Sequence, residues 1–149
     1  MALFGDAYLD AAGRPLSPAG RRALDDAWAT VLTQVLGFVP DSLLLRDYHP
    51  GNLMALPDRA GVRSCGLLDV QDGGIGPVSY DLLSLLQDAR RDVSPELETA
   101  CLDHYFALRP EIDREAFMRD YTALATLNEC RILGVFARLV TRDKKPRYE

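Results

Sequence analysis

Apolar residues recur at helical spacing in the first third of the chain, directly after the pair Ser17-Pro18. Serine is a preferred helix N-cap, and proline is favoured at the first helical position. Gly37 follows the last apolar residue of the series, at a place where helices commonly end. We therefore predict a helix over residues 18–36. Its apolar positions are Ala23, Leu24, Ala27, Trp28, Val31, Leu32, Val35 and Leu36.

The middle of the chain alternates short apolar runs with polar turns, a pattern typical of short β-strands. Glycines and a proline dominate "QDGGIGPVS", so residues 71–79 are predicted to form a loop. Helical spacing returns from residue 80, with Ser79, Ser94 and Asp113 as expected caps. The predicted strands are "SLLLRD", "NLMAL" and "SCGLLDV", and the later helices are 80–91, 95–108 and a long one after Asp113.

The order of elements is one helix, three short strands and then helices only. This order predicts a mainly α fold with a small β-hairpin, an α+β arrangement. We predict a single domain over residues 1–149, with a leading segment at 1–17, a core at 18–93 and a helical subdomain at 94–149. The ending "TRDKKPRYE" has no closing cap and no apolar anchor, so we expect the helical subdomain to be truncated.

Composition narrows the class of protein. The chain is 48% hydrophobic and 26% charged, which is ordinary for a globular protein, and its net charge is −5. An acidic balance argues against duplex DNA or an anionic membrane as the partner. The three cysteines are far apart and lack metal-type spacing, which is typical of free thiols in a reducing compartment. With no signal-like start, we expect a cytoplasmic protein that binds neither nucleic acid nor membrane.

The loop "LRDYHPGN" carries an acid and an amide, Asp47 and Asn52, between two predicted strands. If "NLMAL" and "SCGLLD" pair as an antiparallel hairpin centred between residues 60 and 61, Asn52 stands opposite Asp69. Two acids and one amide would then converge at the open end of the hairpin. Such oxygen ligands suit Mg²⁺, which also keeps positions for phosphate and water.

The charges of these three residues suggest a division of roles. Asp69 would hold the metal between phosphate oxygens, and Asn52 would add a neutral oxygen without more negative charge. Asp47, on the other side of the loop, would orient a substrate hydroxyl and accept its proton. Phosphoryl transfer depends mainly on such positioning and charge neutralisation.

Asp-x-x-x-x-Asn followed by a hairpin and Leu-Leu-Asp resembles the catalytic core of the protein-kinase-like superfamily. The segments "RDYHPGNLM" and "GLLDVQDGGIGPVSYDLLSLLQDARRDV" are similar to the aminoglycoside phosphotransferase branch of that superfamily. They further resemble bacterial sugar kinases that phosphorylate N-acetylmuramate and N-acetylglucosamine at the anomeric hydroxyl. The match covers residues 42–93. The resemblance implies the helical C-terminal lobe of a kinase, with ATP as co-substrate, Mg²⁺ as cofactor and an amino sugar as acceptor.

The resemblance also implies roles for single residues. Asp47 matches the catalytic base, while Asn52 and Asp69 match the metal ligands. Asp81 matches an acid at a helix start that braces the catalytic loop. Many members have His-Gly-Asp where this chain has Leu-Arg-Asp, so bracing by Arg46 must differ from theirs.

His49 is expected to brace the same loop through a hydrogen bond rather than to act as an acid or base. Residues that bind the sugar are not identified, because acceptor contacts in such folds come from variable helices and loops.

One part of the family pattern is missing from the chain. The family places a strand-rich nucleotide lobe, with a phosphate-contacting lysine and its glutamate partner, before the catalytic loop. Here seventeen residues precede the first predicted helix, and the first lysine is Lys144. We therefore expect the nucleotide lobe to be absent and its apolar docking face to be bare. We therefore expect either that a partner supplies this lobe or that the chain self-associates through the bare face.

Three functions remain open from the sequence. The first is the catalytic lobe of a small-molecule kinase, incomplete on its own. The second is a non-catalytic remnant or regulatory module that keeps the same fold and binds metal or sugar. The third is a metal-assisted hydrolase that uses Asp47 and Asp69 with a bound water.

Overall fold

Helices make up most of the protein, and two small antiparallel sheets complete it, so the mainly α prediction with a small β part is confirmed at this level. The computed structural model describes residues 3–37 and 39–144; parts of the predicted segments 1–17 and 94–149 lie outside the described residues. The helices are a π-helix Phe4–Tyr8, α1 Leu9–Ala11, α2 Pro18–Val35, α3 Ser79–Leu86, α4 Pro95–Leu108 and α5 Arg114–Thr141. The strands are β1 Asp41–Leu44, β2 Leu53–Ala55, β3 Cys65–Leu67 and β4 Gly74–Pro77.

The chain divides into two compact units. The first comprises Met1–Val35 with Ala123–Glu149, and the second comprises Leu36–Thr122. The second unit contains all four strands, α3, α4, the start of α5 and every residue predicted for the site. The predicted single domain, with segments at 1–17, 18–93 and 94–149, stays a prediction.

Three helix starts follow the capping signals in the sequence. The hydroxyl oxygen of Ser17 accepts from the Gly20 N–H at 3.1 Å before α2, and that of Ser94 accepts from the Leu97 N–H at 3.2 Å before α4. A carboxylate oxygen of Asp113 accepts from the Ala116 N–H at 2.8 Å before α5. These bonds satisfy N–H groups that have no partner within the helix, so the predicted caps Ser17, Ser94 and Asp113 are confirmed, whereas the one predicted at Ser79 is not.

Removal of the Ser94 cap gives the smallest of our predicted effects. Ser94→Ala should lower the free energy of unfolding by about 1 kcal/mol, because the Leu97 N–H loses its acceptor. Urea denaturation at constant pH measures the change. Thr99→Ala on the same helix is the control: the Thr99 hydroxyl only donates back to the Pro95 carbonyl, so this variant should be neutral or slightly more stable. Equal destabilisation by both variants would contradict the assignment of the cap.

The stretch predicted as a loop over residues 71–79 contains a strand, so that prediction was wrong. β4 pairs with β1 in an antiparallel ladder that joins Leu44 to Gly74 and Asp41 to Pro77. A Cβ on Gly76 would lie 2.8 Å from Leu44 Cδ1, so a larger residue at this position would require the Leu44 side chain to move. The proline ends the strand, where its missing N–H costs little. Pairing with a distant segment overrides the weak local preference.

Two further elements differ from the predictions. No element was expected before residue 18, yet the π-helix and α1 lie there, and the Phe4 and Tyr8 rings stack with their centroids 5.4 Å apart. The helix predicted over 80–91 begins at Ser79 and ends at Leu86. Ser79 is therefore the first residue of α3, and no side-chain hydrogen bond caps this helix.

Buried side chains hold α3 in place within the second unit. Leu83 is fully buried and Leu86 is 5% exposed. At the C-terminal end of α3, the Gln87 amide donates to Glu98 at 2.9 Å, and the Tyr121 hydroxyl donates to the same Glu98 oxygen at 2.6 Å. This polar cluster joins α3, α4 and α5.

None of the helices in the described part of the chain combines the length and the apolar character that a membrane crossing demands.

Candidate functional site

The loop between β1 and β2 is stabilised by its own hydrogen bonds. Its last three residues form a 3₁₀-helix, Pro50–Asn52, which the His49 ring caps by accepting from the Gly51 N–H at 3.1 Å. The Asn52 side-chain amide donates from Nδ2 to the Asp47 carbonyl at 2.9 Å. Because the NH₂ end of this amide serves the loop, its Oδ1 end is the one left for a ligand.

Strain is concentrated at the start of this loop. The Leu45 carbonyl accepts from the Asp47 N–H at 2.8 Å, which makes Arg46 the centre of a three-residue turn. Arg46 has a φ of 67°, in the left-handed region that residues with a Cβ seldom adopt. Such a backbone persists only when its surroundings hold it.

Asp81, in the first turn of α3, contacts this turn directly. One oxygen of its carboxylate accepts from the Leu45 N–H at 2.7 Å, and the other accepts from the Arg46 N–H at 3.0 Å. Hydrogen bonds to an ionised acceptor are roughly twice as strong as neutral ones. The α3 helix thus holds the backbone immediately before Asp47.

The Arg46 side chain joins the loop to the segment after β3, since its Nη1 donates to the Asp72 carbonyl at 3.4 Å. In that segment Asp69 has a φ of 57°, and its carboxylate accepts from the Gln71 side-chain amide. The described part of the chain has three non-glycine residues with positive φ, and Arg46 and Asp69 are two of them. Backbone strain of this kind tends to cluster at functional sites.

The register of the β2–β3 hairpin corrects the sequence prediction. Leu53 pairs with Leu67, and the Leu68 N–H donates to the Asn52 carbonyl at 2.9 Å. Asn52 therefore stands opposite Leu68 rather than Asp69. The cause is the turn, where the Leu56 N–H donates to the Ser64 carbonyl at 2.8 Å and a 3₁₀-helix occupies Gly61–Ser64. The reversal is centred on residue 60, half a residue earlier than predicted.

The corrected register still places Asn52 and Asp69 at the same end of the hairpin. Asp69 follows the residue opposite Asn52, and its left-handed backbone turns the chain away from the strand direction. Asp47 and Asp69 are exposed, and Asn52 is half-buried. Coordination of one cation by these residues stays a prediction.

The donor set at this end of the hairpin fits a magnesium–nucleotide complex better than a metal held by protein alone. Within residues 3–37 and 39–144, no group of three or more His, Cys, Asp or Glu side chains is arranged to hold a metal. Mg²⁺ commonly takes one or two carboxylates and completes its shell with phosphate and water oxygens. The Asp69 carboxylate and the Asn52 amide oxygen are ligands of this type.

Tyr48, between Asp47 and His49, was not identified from the sequence. Burial raises the pKa of its hydroxyl, and the neighbouring Cys65 thiol and Asp81 carboxylate raise it further. The hydroxyl therefore keeps its proton at neutral pH and is available to donate a hydrogen bond. Only its place inside the loop, next to the predicted base, marks it in the sequence.

Known proteins resemble this chain over most of its length. Residues 2–120 match the family described as "Phosphotransferase enzyme family". A Caulobacter vibrioides protein named "N-acetylmuramate/N-acetylglucosamine kinase" is 60% identical over 103 residues, which cover 69% of this chain and 28% of that protein. Proteins of the same name from Pseudomonas putida and Neisseria meningitidis are 34% and 33% identical, over 73% and 91% of this chain. These matches span 32% and 41% of the relatives, so the chain corresponds to less than half of each.

Proposed function

The chain belongs to the phosphotransferase enzyme family, and from this premise we propose that it is the catalytic portion of a sugar kinase. The reaction would move the γ-phosphoryl group of ATP to a hydroxyl of an amino sugar. Kinase-type phosphotransfer is supported by relatives that are named as kinases. The observation that carries the proposal is the strained turn at Arg46, which the Asp81 carboxylate holds next to Asp47.

Asp47 is the proposed catalytic base. Its side chain is exposed, and its backbone carbonyl and N–H are both used within the loop, so the carboxylate is free to face an acceptor hydroxyl. Acceptance of the hydroxyl proton as the oxygen attacks is the contribution that a positioned carboxylate makes in phosphoryl transfer.

Asn52 and Asp69 are the proposed magnesium ligands. When bound, the cation neutralises charge on the phosphate oxygens. The hydrogen bond from Gln71 orients the Asp69 carboxylate, and the bond to the Asp47 carbonyl orients the Asn52 amide. His49 and Arg46 keep the loop between these residues in shape.

Exposed apolar side chains near the site support the expectation of a covering partner. Leu43 and Ile75 stand opposite each other in the β1–β4 sheet and are 69% and 75% exposed. In the β2–β3 hairpin and directly after it, Met54, Leu67 and Leu68 are 46%, 48% and 46% exposed. We propose that a nucleotide lobe covers exposed apolar side chains of both sheets in the active enzyme, and that self-association is the substitute when the lobe is absent.

A nucleotide-binding experiment tests the proposal. In the Caulobacter vibrioides relative, the matching segment is exchanged for that of this chain, and Mg²⁺-ATP binding is measured by titration calorimetry. The chimera should bind, whereas the chain alone should bind more weakly than about 1 mM. Asp69→Ala in the chimera should weaken Mg²⁺-dependent binding by about tenfold or more, the equivalent of 1.4 kcal/mol, because a charged ligand is lost.

Asp58→Ala is the matched control, since Asp58 is an exposed acid in the turn at the opposite end of the same hairpin. Binding that is equally weakened by both variants would refute a metal role for Asp69. A chimera that folds and binds no nucleotide would favour the non-catalytic module. Phosphate release by the isolated chain without nucleotide would favour the hydrolase, although the described residues offer no metal centre of protein ligands alone.

A further inference from the structure

Two polar side chains in the second unit are completely buried against each other. Ser79 begins α3, Asp120 lies in α5, and both are 0% exposed. The Ser79 hydroxyl donates to Oδ2 of Asp120. The other carboxyl oxygen, Oδ1, is buried and has no hydrogen-bond partner. Neither residue was singled out for function in the sequence.

This arrangement costs stability, so it calls for a reason. A buried polar atom that lacks a partner loses its hydration without compensation. Moreover, Ser79 does not cap its own helix, although serine is suited to that role. Its hydroxyl instead serves a contact between α3 and α5.

The contact lies two residues from Asp81, in the same helical turn. Because helix backbone is stiff over so short a distance, the position of Ser79 determines the position of the Asp81 carboxylate. That carboxylate in turn accepts from the Leu45 and Arg46 N–H groups. The opposite end of α3 is held by the cluster of Gln87, Glu98 and Tyr121. Polar contacts therefore fix both ends of the helix that carries Asp81.

We propose that Ser79 and Asp120 form a positioning pair, which anchors the first turn of α3 to α5 and so places the Asp81 carboxylate beneath the loop that carries Asp47. The pair touches neither substrate nor metal and acts through Asp81. The inference rests on the proposed function only in treating that loop as the catalytic one.

The direction of the pKa shift of Asp120 agrees with this role. Burial raises the pKa of its carboxyl above the ordinary value; the hydrogen bond from Ser79 opposes the shift, and the negative charge of Asp41 on β1 adds to it. A neutral carboxyl is much cheaper to bury than a carboxylate, which reduces the cost of the unpartnered oxygen. Asparagine at position 120 keeps the shape of the side chain and one acceptor oxygen without the charge.

Amide hydrogen exchange of the intact chain tests the pair. Ser79→Ala should speed exchange at the Leu45 and Arg46 amides by about tenfold or more, because Asp81 no longer holds them firmly. Amides in the middle of α4 should keep their wild-type rates. Asp120→Asn should stay within about threefold of the wild type at all these sites, as the conservative replacement keeps an acceptor for Ser79.

Two results would overturn the proposal. One is wild-type protection of Leu45 and Arg46 in Ser79→Ala. The other is an equal loss of protection in α4, which would assign the pair to general stability alone. If Ser79→Ala does not fold, Ser79→Cys takes its place, since the thiol has similar volume but is a weak donor, and the same selective change is required.

The exchange experiment needs neither nucleotide nor turnover, so it separates the two proposals. Selective loss of loop protection in a chimera without kinase activity would refute the proposed function and support the pair. An active chimera in which Ser79→Ala leaves the loop protection unchanged would support the proposed function and refute the positioning pair.

Discussion

Asp47→Ala in the chimeric kinase is expected to lower kcat by roughly 10²- to 10⁴-fold, the usual contribution of a general base. In the proposed mechanism, the Asp47 carboxylate takes the proton of the sugar hydroxyl only as the bond to phosphorus forms. Its loss should therefore act on turnover more than on binding of the sugar or of ATP. Initial rates of ADP release, measured at several sugar concentrations, separate kcat from KM.

Stability should not change in this variant. The Asp47 side chain is exposed, and the hydrogen bonds of this residue within the loop use its backbone. The free energy of unfolding should therefore stay within about 0.5 kcal/mol of the parent. Asp72→Ala removes an exposed acid from the neighbouring segment while keeping the carbonyl that Arg46 contacts, and it should retain most of the activity. Turnover that survives Asp47→Ala would contradict its role as base.

Asp81→Ala should have the largest effect on stability, roughly 2–4 kcal/mol. Two backbone N–H groups, of Leu45 and Arg46, lose an ionised acceptor, and each hydrogen bond to a charged group contributes about 1.5–3 kcal/mol when buried. The bond from the Arg46 N–H is exposed, so it contributes less than the bond from the Leu45 N–H and the total loss is smaller than two full bonds. The strained turn at Arg46 should relax as well, so turnover of the chimera should fall with stability.

Graded variants test this explanation. Asp81→Asn keeps one acceptor oxygen and should lose about half as much stability as Asp81→Ala in urea denaturation. Asp103→Ala is the control, because it breaks an exposed ion pair with Arg114 that should contribute less than about 1 kcal/mol. If Asp81→Ala were no more destabilising than Asp103→Ala, the carboxylate would not be what holds the loop.

Local signals in the sequence were sufficient for much of the fold. Ser17-Pro18 and Ser94-Pro95 predicted the starts of α2 and α4, because a cap and a fixed φ act within one turn. The hairpin of β2 and β3 was predicted from two apolar runs around a polar turn. Its register was wrong by one residue at Asp69, since the 3₁₀-helix inside the turn leaves no clear signal.

The candidate site was also predicted from the sequence. Residues 47, 52, 69 and 81 were identified by their types and by the resemblance of their spacing to a kinase loop. The hydrogen bonds from the Leu45 and Arg46 N–H groups to Asp81 could not be predicted, because backbone N–H groups are the same in nearly every residue. Ser79 was expected to cap α3, yet its hydroxyl contacts Asp120, 41 residues away.

The sequence by itself determined where the helices start, which residues line the loop, and to which family the chemistry belongs. The helix starts and the loop depend on neighbours within a few positions, so their signals are local in the sequence, and the family was identified by the resemblance of residues 42–93. Only the tertiary structure decided that glycine-rich residues 74–77 form a strand and that Ser79 serves α5 rather than its own helix. Both outcomes depend on partners far along the chain, and the free energy of such pairs exists only once folding has brought them together.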